Sequence, residues 1–418
     1  MLKKTYLYNT HKKNGASFKE FGGYEMPLWF KSGAKEEHFA VLLRAGLFDT
    51  SHMSTIIIRG KSSRSLLQKL TTKDLERAIG KNKLPLDNLS SVYSVYLDEN
   101  AHVIDDTIIF QLDNNLYISV VNASMNKKIV PHFEHFNENC EIIDLSDKIG
   151  KIDLQGPLSV KTLCNILETP QLLYDMKPFT FKGYFNKVFS NDNSAVFTKK
   201  GYPILVSRTG YTGEIGFEIF VDLEYIEDLW FSLSEKRGET VEYCGLAARD
   251  TLRVGAKLPL SHQDIGEWPF VNNPWTFVLP YNEDKTGFTK DFLGATKLLK
   301  NKYNEYTYPF VGFDLRKVPS GGKALVLDKN NNEIGTVLTC VTEPSIDRYN
   351  HKIYTITSPD KPEDLQIKGL SSGFIKVNRK LDLNDRVYLK YGKRVIEVEI
   401  VNTIRSNLTA RKKITNFL

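Results

Sequence analysis

The apolar positions of this chain change period several times, and the changes mark out its elements. Residues 34–44 place Phe39, Leu42 and Leu43 at helical spacing and stop near Gly46. Residues 62–70 do the same with Leu66, Leu67 and Leu70. Alternating runs predict strands over 54–60, 91–97, 103–112 and 117–122, with Asp98-Glu99-Asn100 as a turn, and a helix over 125–136. A strand over 151–155 leads through Gly156-Pro157 into a helix ending near Ile166. Runs at 179–181 and 194–197 precede a hairpin of 204–207 and 217–221. Helices are expected over 223–237, 247–256 and 290–301, with a short polar one over 11–18. Helices and hairpins mixed in this order predict an α+β fold rather than a doubly wound parallel sheet.

From about residue 308 the pattern changes. Short apolar runs at 310–315, 324–327, 333–338, 353–356, 386–389 and 395–400 are joined by turn clusters such as Asp328-Lys329-Asn330-Asn331. They predict an all-β barrel or sandwich. The loop zone at Asn272-Asn273-Pro274 and Pro280-Tyr281-Asn282 is the expected boundary, dividing a region 1–290 from a barrel domain 305–418.

The predicted hairpin is the stretch most suggestive of chemistry. Gly210, Gly213 and Gly216 sit three apart, which suits a loop needing positive φ or close backbone approach. On the second strand Phe217, Ile219 and Val221 share one face, and Glu218 shares the other with Phe220. A carboxylate there belongs to a water-exposed sheet edge or binds a planar group with paired donors. From this strand alone the edge is the expected reading.

Composition narrows the classes. Lys+Arg of 56 against Asp+Glu of 50 gives +6, too mild and dispersed for nucleic acid but suited to a small anionic ligand. Cys140, Cys164, Cys244 and Cys340 are widely spaced, form no zinc-like cluster and read as reduced thiols. No apolar run is long enough to span a membrane, and Met1 to Tyr6 lacks the apolar core of a signal peptide. The expected location is cytoplasmic, or the mitochondrial matrix if a transit peptide has been removed. His132 and His135 lie at metal-ligand spacing but on a polar helix with no third ligand in view, so no metal is expected.

The glycine hairpin has companions. Gly245-Leu246-Ala247-Ala248-Arg249-Asp250 follows it, and Phe21-Gly22-Gly23-Tyr24-Glu25-Met26-Pro27, Gly46-Leu47-Phe48-Asp49-Thr50-Ser51-His52-Met53, Ile104-Asp105-Asp106 and Val121-Asn122-Ala123 precede it. In this order, from about Lys3 to Ser345, they resemble the tetrahydrofolate-dependent T-protein (aminomethyltransferase) family of the glycine cleavage system. The resemblance implies two interleaved α+β subdomains and a C-terminal β-barrel around a central folate channel. It also implies roles. The carboxylate matching Glu218 takes the pteridine edge, and the Arg matching Arg249 meets the anionic tail. Tyr211, Tyr93, Asn122 and Met53 match channel-lining positions, and Asp106 matches the carboxylate beside the nitrogens that accept the one-carbon unit.

Each residue has a plainer reading. Arg249 would salt-bridge Glu242, Tyr211 and Tyr93 would pack in the core, and Asn122 would cap the next helix. Of the adjacent Asp105 and Asp106, one is expected to be exposed and the other held for a purpose.

The chain also departs from the family pattern. Ser54 and Ala101-His102 stand where glycines are usual, Gly255 where a carboxylate is usual, the segment 268–273 is atypical, and 347–368 reads as an insertion. These departures are expected where a donor or a partner protein approaches. The main expectation is an enzyme taking an aminomethyl group from a lipoylated carrier protein and forming methylenetetrahydrofolate. A demethylase acting on a small sulfonium, amine or ether donor, and a non-catalytic folate-binding protein, stand as alternatives.

Overall fold

A computed structural model describes residues 1–185, 195–300 and 302–418. Two sheets and a barrel make up the molecule. The six-stranded sheet runs in spatial order Phe181–Gly183, Leu205–Ser207, Gly216–Asp222, Ile149–Gln155, Ala45–Asp49 and Val241–Tyr243. The five-stranded sheet runs Ser90–Leu97, Val103–Asp113, Leu116–Val121, Ser54–Arg59 and Glu141–Asp144. The second sheet is thus inserted in sequence between the Ala45–Asp49 strand and the rest of the first. Strands Tyr306–Gly312, Leu370–Val377, Glu333–Glu343, Leu325–Leu327, Arg386–Tyr391 and Arg394–Ile400 close an antiparallel barrel. The fold is α+β with an all-β barrel, as expected. No helix among the described residues is long and apolar enough to cross a membrane.

Three apolar layers hold these parts in place. Phe217, Ile219 and Val221 bury one face of the first sheet against Leu163, Trp230 and Leu233. The opposite face meets the second sheet, where Phe220, Phe181 and Leu205 pack on Phe110, Ile118 and Val120. The barrel docks through Val311, Leu338 and Phe374 against Trp275, Val278 and the Val95–Val103 end of the second sheet. A gap left where the two sheets, the Leu246–Gly255 helix and the barrel meet becomes the cavity described below.

Several elements differ from expectation. The Gly216–Asp222 strand is not an edge; it is paired on both sides, with Leu205–Ser207 and Ile149–Gln155. Alternation looks the same on an edge and on a central strand whose two faces meet different environments. The first helix is Tyr8–Lys13, and the chain then forms a hairpin of Ser17–Phe21 and Tyr24–Trp29. The helix expected over 223–237 is α-helical only over Ile226–Leu233; Leu223–Tyr225 forms a 3-10 turn before it, and Ser234 ends it with its hydroxyl on the Trp230 carbonyl at 2.8 Å. The helix expected over 290–301 begins at Ala295; Lys290 instead caps the carbonyls of Gln68 and Thr71, and Asn301 lies outside the described residues. So does Ser194, the start of a run read as a strand. Strands Ala45–Asp49 and Leu370–Val377 carried no alternating signal, the first being buried throughout and the second containing Ser371-Ser372-Gly373.

Gly255 fixes the junction of helix and barrel. A Cβ there would lie 2.0 Å from Glu343 Oε2. Glu343 is fully buried, 2.9 Å from His38 Nε2, and accepts from the Ser345 hydroxyl at 2.5 Å. Burial pushes its carboxyl up, but the His38 and Arg405 charges outweigh this and hold it near 2. The carboxylate absent from position 255 is therefore supplied to the same space by the barrel. Gly255→Ala is expected to cost about 1–3 kcal/mol of stability through overpacking. Urea denaturation checks this, and an unchanged midpoint would contradict the packing.

Candidate functional site

The gap at the junction is a cavity of about 1030 Å³. Met53, Tyr93, Asp106, Asn122, Tyr211, Glu218 and Arg249, the residues singled out by sequence, all line it. The five-stranded sheet delivers one group. The antiparallel register sets Thr107 opposite Val121, so Asn122, one residue past its strand, falls beside the Asp105–Asp106 pair. Its side-chain amide donates to Asp105 Oδ1 and to Asp106 Oδ1, both at 2.7 Å, and its backbone N–H donates to Asp105 Oδ2 at 2.8 Å. The Tyr93 hydroxyl donates to Asp106 Oδ2 at 2.9 Å. Asn122 therefore caps no helix, and Tyr93 is no mere core aromatic.

The two carboxylates divide by strand alternation. Asp105 is fully buried with Val103 and Thr107, while Asp106 and Ile108 face the cavity. Neither is exposed, contrary to expectation. The backbone and side-chain N–H groups of Asn122, the Tyr93 hydroxyl and His262, whose Nε2 lies 3.4 Å from Asp105 Oδ1, offset the cost of the pair. Burial first, and the Asp105 charge second, push the Asp106 carboxyl up to about 7. Asp106 thus changes protonation near neutral pH.

The other wall comes from the six-stranded sheet. Glu218 accepts from Lys151 through Oε1 and from the Thr209 hydroxyl through Oε2. Each oxygen keeps a lone pair for a further donor. Lys151 also reaches Asp153 Oδ1 at 2.8 Å, and Arg249 Nη1 donates to Asp153 Oδ2 at 2.7 Å. Arg249 does not pair with Glu242, which holds Arg237 at 3.1 Å instead. The Arg249 guanidinium lies 4.8 Å from the Tyr211 ring centroid, whose hydroxyl is tied to the Pro259 carbonyl. The glycine turn allows this approach. Gly213 has φ of 79°, and Gly210 lies so near Gln155 that a Cβ would sit 2.1 Å from Oε1.

Three lining or supporting residues escaped sequence reasoning. Lys151 and Asp153 sit in a run, Lys-Ile-Asp-Leu-Gln, whose alternation reads as a half-solvated strand, yet both are buried. His52 lines the cavity at 2% exposure with no partner for Nδ1. Burial, with the Arg249 and Lys151 charges, lowers its imidazole to about 4, so it is neutral at physiological pH. The pairing of His52 with Met53 in the cavity wall was the available signal.

The departures in sequence do not line this cavity: Ser54, Ala101, His102, Gly255 and the segments 268–273 and 347–368 are all absent from its wall. These departures therefore do not shape the cavity itself. Trp268 instead lies under Lys376, 3.9 Å from the ring centroid, and the Ile346–Tyr349 and Lys352–Thr355 hairpin packs on the barrel through Arg348 and Glu399 at 3.1 Å. Among the described residues no three His, Cys, Asp or Glu side chains are arranged to hold a metal.

Comparison with known proteins places this arrangement. The profile of the GCVT N-terminal domain matches residues 7–268. The chain belongs to the GCVT family. It is 35% identical over 359 residues to an aminomethyltransferase of Staphylococcus epidermidis, covering 82% of this chain and 87% of that protein. It is 32% identical over 416 residues to one of Staphylococcus saprophyticus, covering 96% and 97%. The crystal structure of glycine cleavage system aminomethyltransferase T from Bartonella henselae superposes with a TM-score of 0.78 at 25% identity, covering 99% of this chain and all of that one. This member of the GCVT family is an enzyme of the transferase class.

The raised Asp106 carboxyl has a sign that can be measured. A group whose folded-state value lies above its unfolded one stabilises the fold below the unfolded value and loses that contribution as pH rises through the folded value. Asp106 thus gives up stability between its ordinary value of 3.8 and about 7. The melting temperature of Asp106→Asn, minus that of the parent, should rise across this window and level off above it. A difference independent of pH would contradict the assignment.

Proposed function

We propose that the cavity binds tetrahydrofolate as acceptor for an aminomethyl group presented on a lipoyl sulfur of a carrier protein, giving methylenetetrahydrofolate, ammonia and the carrier in its free dihydrolipoyl thiol form. One observation carries the reading. A single cavity holds a desolvated carboxylate with open lone pairs, Glu218, and a carboxyl that titrates near neutrality, Asp106.

Tetrahydrofolate offers a pteridine edge with adjacent N–H donors, nucleophilic nitrogens and an anionic glutamate tail. Glu218 fits the edge, because an acceptor-only group takes two parallel, charge-assisted hydrogen bonds. Arg249 fits the tail; Asp153 takes Nη1 and leaves the rest of the planar fork over Tyr211. Met53 supplies apolar wall beside the five-stranded sheet. Tyr93 and Asn122 fix the Asp106 carboxyl by one hydrogen bond on each oxygen. So held, Asp106 orients the accepting nitrogen and exchanges a proton as the amine departs. Two of the departures from the family pattern, the missing carboxylate at Gly255 and the 347–368 insertion, lie outside the cavity, and Glu343 occupies the space beside the first.

Two variants separate binding from chemistry. Glu218→Gln should weaken folate binding, whereas Asp106→Asn should leave it nearly intact and slow single-turnover transfer by about 10²–10⁴-fold. Parent-rate transfer by Asp106→Asn would overturn its role. Arg249→Ala should cost about 1.5–3 kcal/mol of folate binding, most visibly at low salt. Calorimetric titration measures it, and unchanged affinity in a folded variant would remove Arg249 from the site.

A further inference from the structure

We infer that Lys151 and Asp153 are a positioning pair that couples the pteridine end of the site to the tail end, an inference that rests on the folate reading of Glu218 and Arg249. The sheet register creates the need for them. Glu218 stands directly opposite Asp153 across the antiparallel pair of Gly216–Asp222 and Ile149–Gln155. Like charges so placed repel, and burial strengthens the repulsion. Lys151, two residues before Asp153, projects from the same face.

The hydrogen-bond inventory shows what Lys151 does there. An ammonium has three donors. Those of Lys151 meet Thr50 Oγ1 at 3.2 Å, Asp153 Oδ1 at 2.8 Å and Glu218 Oε1. None is left for a ligand, so Lys151 positions and does not bind. Asp153, fully buried, is held by protein donors on both oxygens. Oδ1 takes Lys151 and the Thr50 hydroxyl, the latter at 2.8 Å, and Oδ2 takes Arg249. The result is a continuous chain, Glu218–Lys151–Asp153–Arg249, along one wall of the cavity. Burial pushes the Asp153 carboxyl up, but the Lys151 and Arg249 charges outweigh it and hold it near 2. The ammonium of Lys151 is held above its ordinary range by Asp153 and Glu218, against burial.

Coupling follows from this chain. Displacing Arg249 weakens one partner of Asp153, which tightens its hold on Lys151 and draws that ammonium from Glu218. Removing Lys151 leaves Glu218 and Asp153 opposed; among the charged groups left near them are Arg249, bonded to Asp153 at 2.7 Å, and Asp49, itself paired to His11 at 2.9 Å. His52 is neutral and offers no compensation. The opposed pair then binds a proton more readily than in the parent, and a protonated Glu218 loses its acceptor-only character.

Anaerobic calorimetry with tetrahydrofolate between about pH 6 and 9 tests this. The parent should bind with nearly constant affinity. Lys151→Met should bind at least about tenfold more weakly at the acid end and recover as pH rises, while Lys151→Arg keeps most of the affinity and shows no such slope. A role confined to stability would lower the melting temperature of Lys151→Met without creating a pH dependence, and that result would overturn the inference. Should Lys151→Met not fold, a double-mutant cycle of Glu218→Gln and Arg249→Lys reads the same coupling. The combined loss should depart from the product of the single losses by at least about threefold. A purely multiplicative result would overturn the coupling alone. Parent-like affinity in both single variants would instead overturn the folate reading beneath it.

Discussion

Charge taken out of water must find partners, and the positions of the charged candidate groups in this protein follow from that constraint. Two carboxylates on one strand, Asp105 and Asp106, are held by a single amide, Asn122, which bonds to both. Two carboxylates on neighbouring strands, Asp153 and Glu218, are separated by one ammonium, Lys151. The two solutions differ in outcome. Asp153 and Glu218 receive full countercharge and serve as fixed acceptors. Asp105 and Asp106 receive only dipoles and a partly exposed His262, and the deficit appears as an Asp106 carboxyl that titrates near 7. One wall of the cavity is electrostatically settled and the facing wall is poised to exchange a proton.

The interleaved topology makes this possible. Because the five-stranded sheet is inserted between strands of the six-stranded one, the two sheets are forced face to face, with Phe110 packed edge-on against Phe181 and Phe220. Each then offers its alternate side chains to a common gap. The Leu246–Gly255 helix adds Arg249 to the gap, and the barrel meets that helix through Glu343, beside Gly255, and through Thr339, which accepts from Arg253 at 3.1 Å. Gly255 allows the close approach. The barrel is therefore a support for the site as much as a wall of it.

Much of this was legible in the sequence, for identifiable reasons. Alternation around Glu218 and around Asp106 assigned the correct faces, since period-two burial is a local property. The strand containing Glu218 was misjudged as an edge because nothing local distinguishes an edge from a central strand with two unlike faces. The partner of Arg249 was missed because Asp153 is nearly a hundred residues away and becomes a neighbour only through the sheet order. Lys151 and Asp153 were passed over because charged residues alternating with apolar ones describe a solvated strand equally well. Residues 370–377 failed to signal a strand because nearly all of them are buried on both faces, which leaves no apolar–polar alternation to read.

The central claim is that an aminomethyl group is transferred to tetrahydrofolate in this cavity. The most direct measurement is to incubate the enzyme with tetrahydrofolate and an aminomethylated lipoyl carrier protein, and to identify the folate product by mass while assaying ammonia. The account expects methylenetetrahydrofolate and ammonia in equal amounts. A methylated folate from a sulfonium, amine or ether donor, with no product from the carrier, would contradict it.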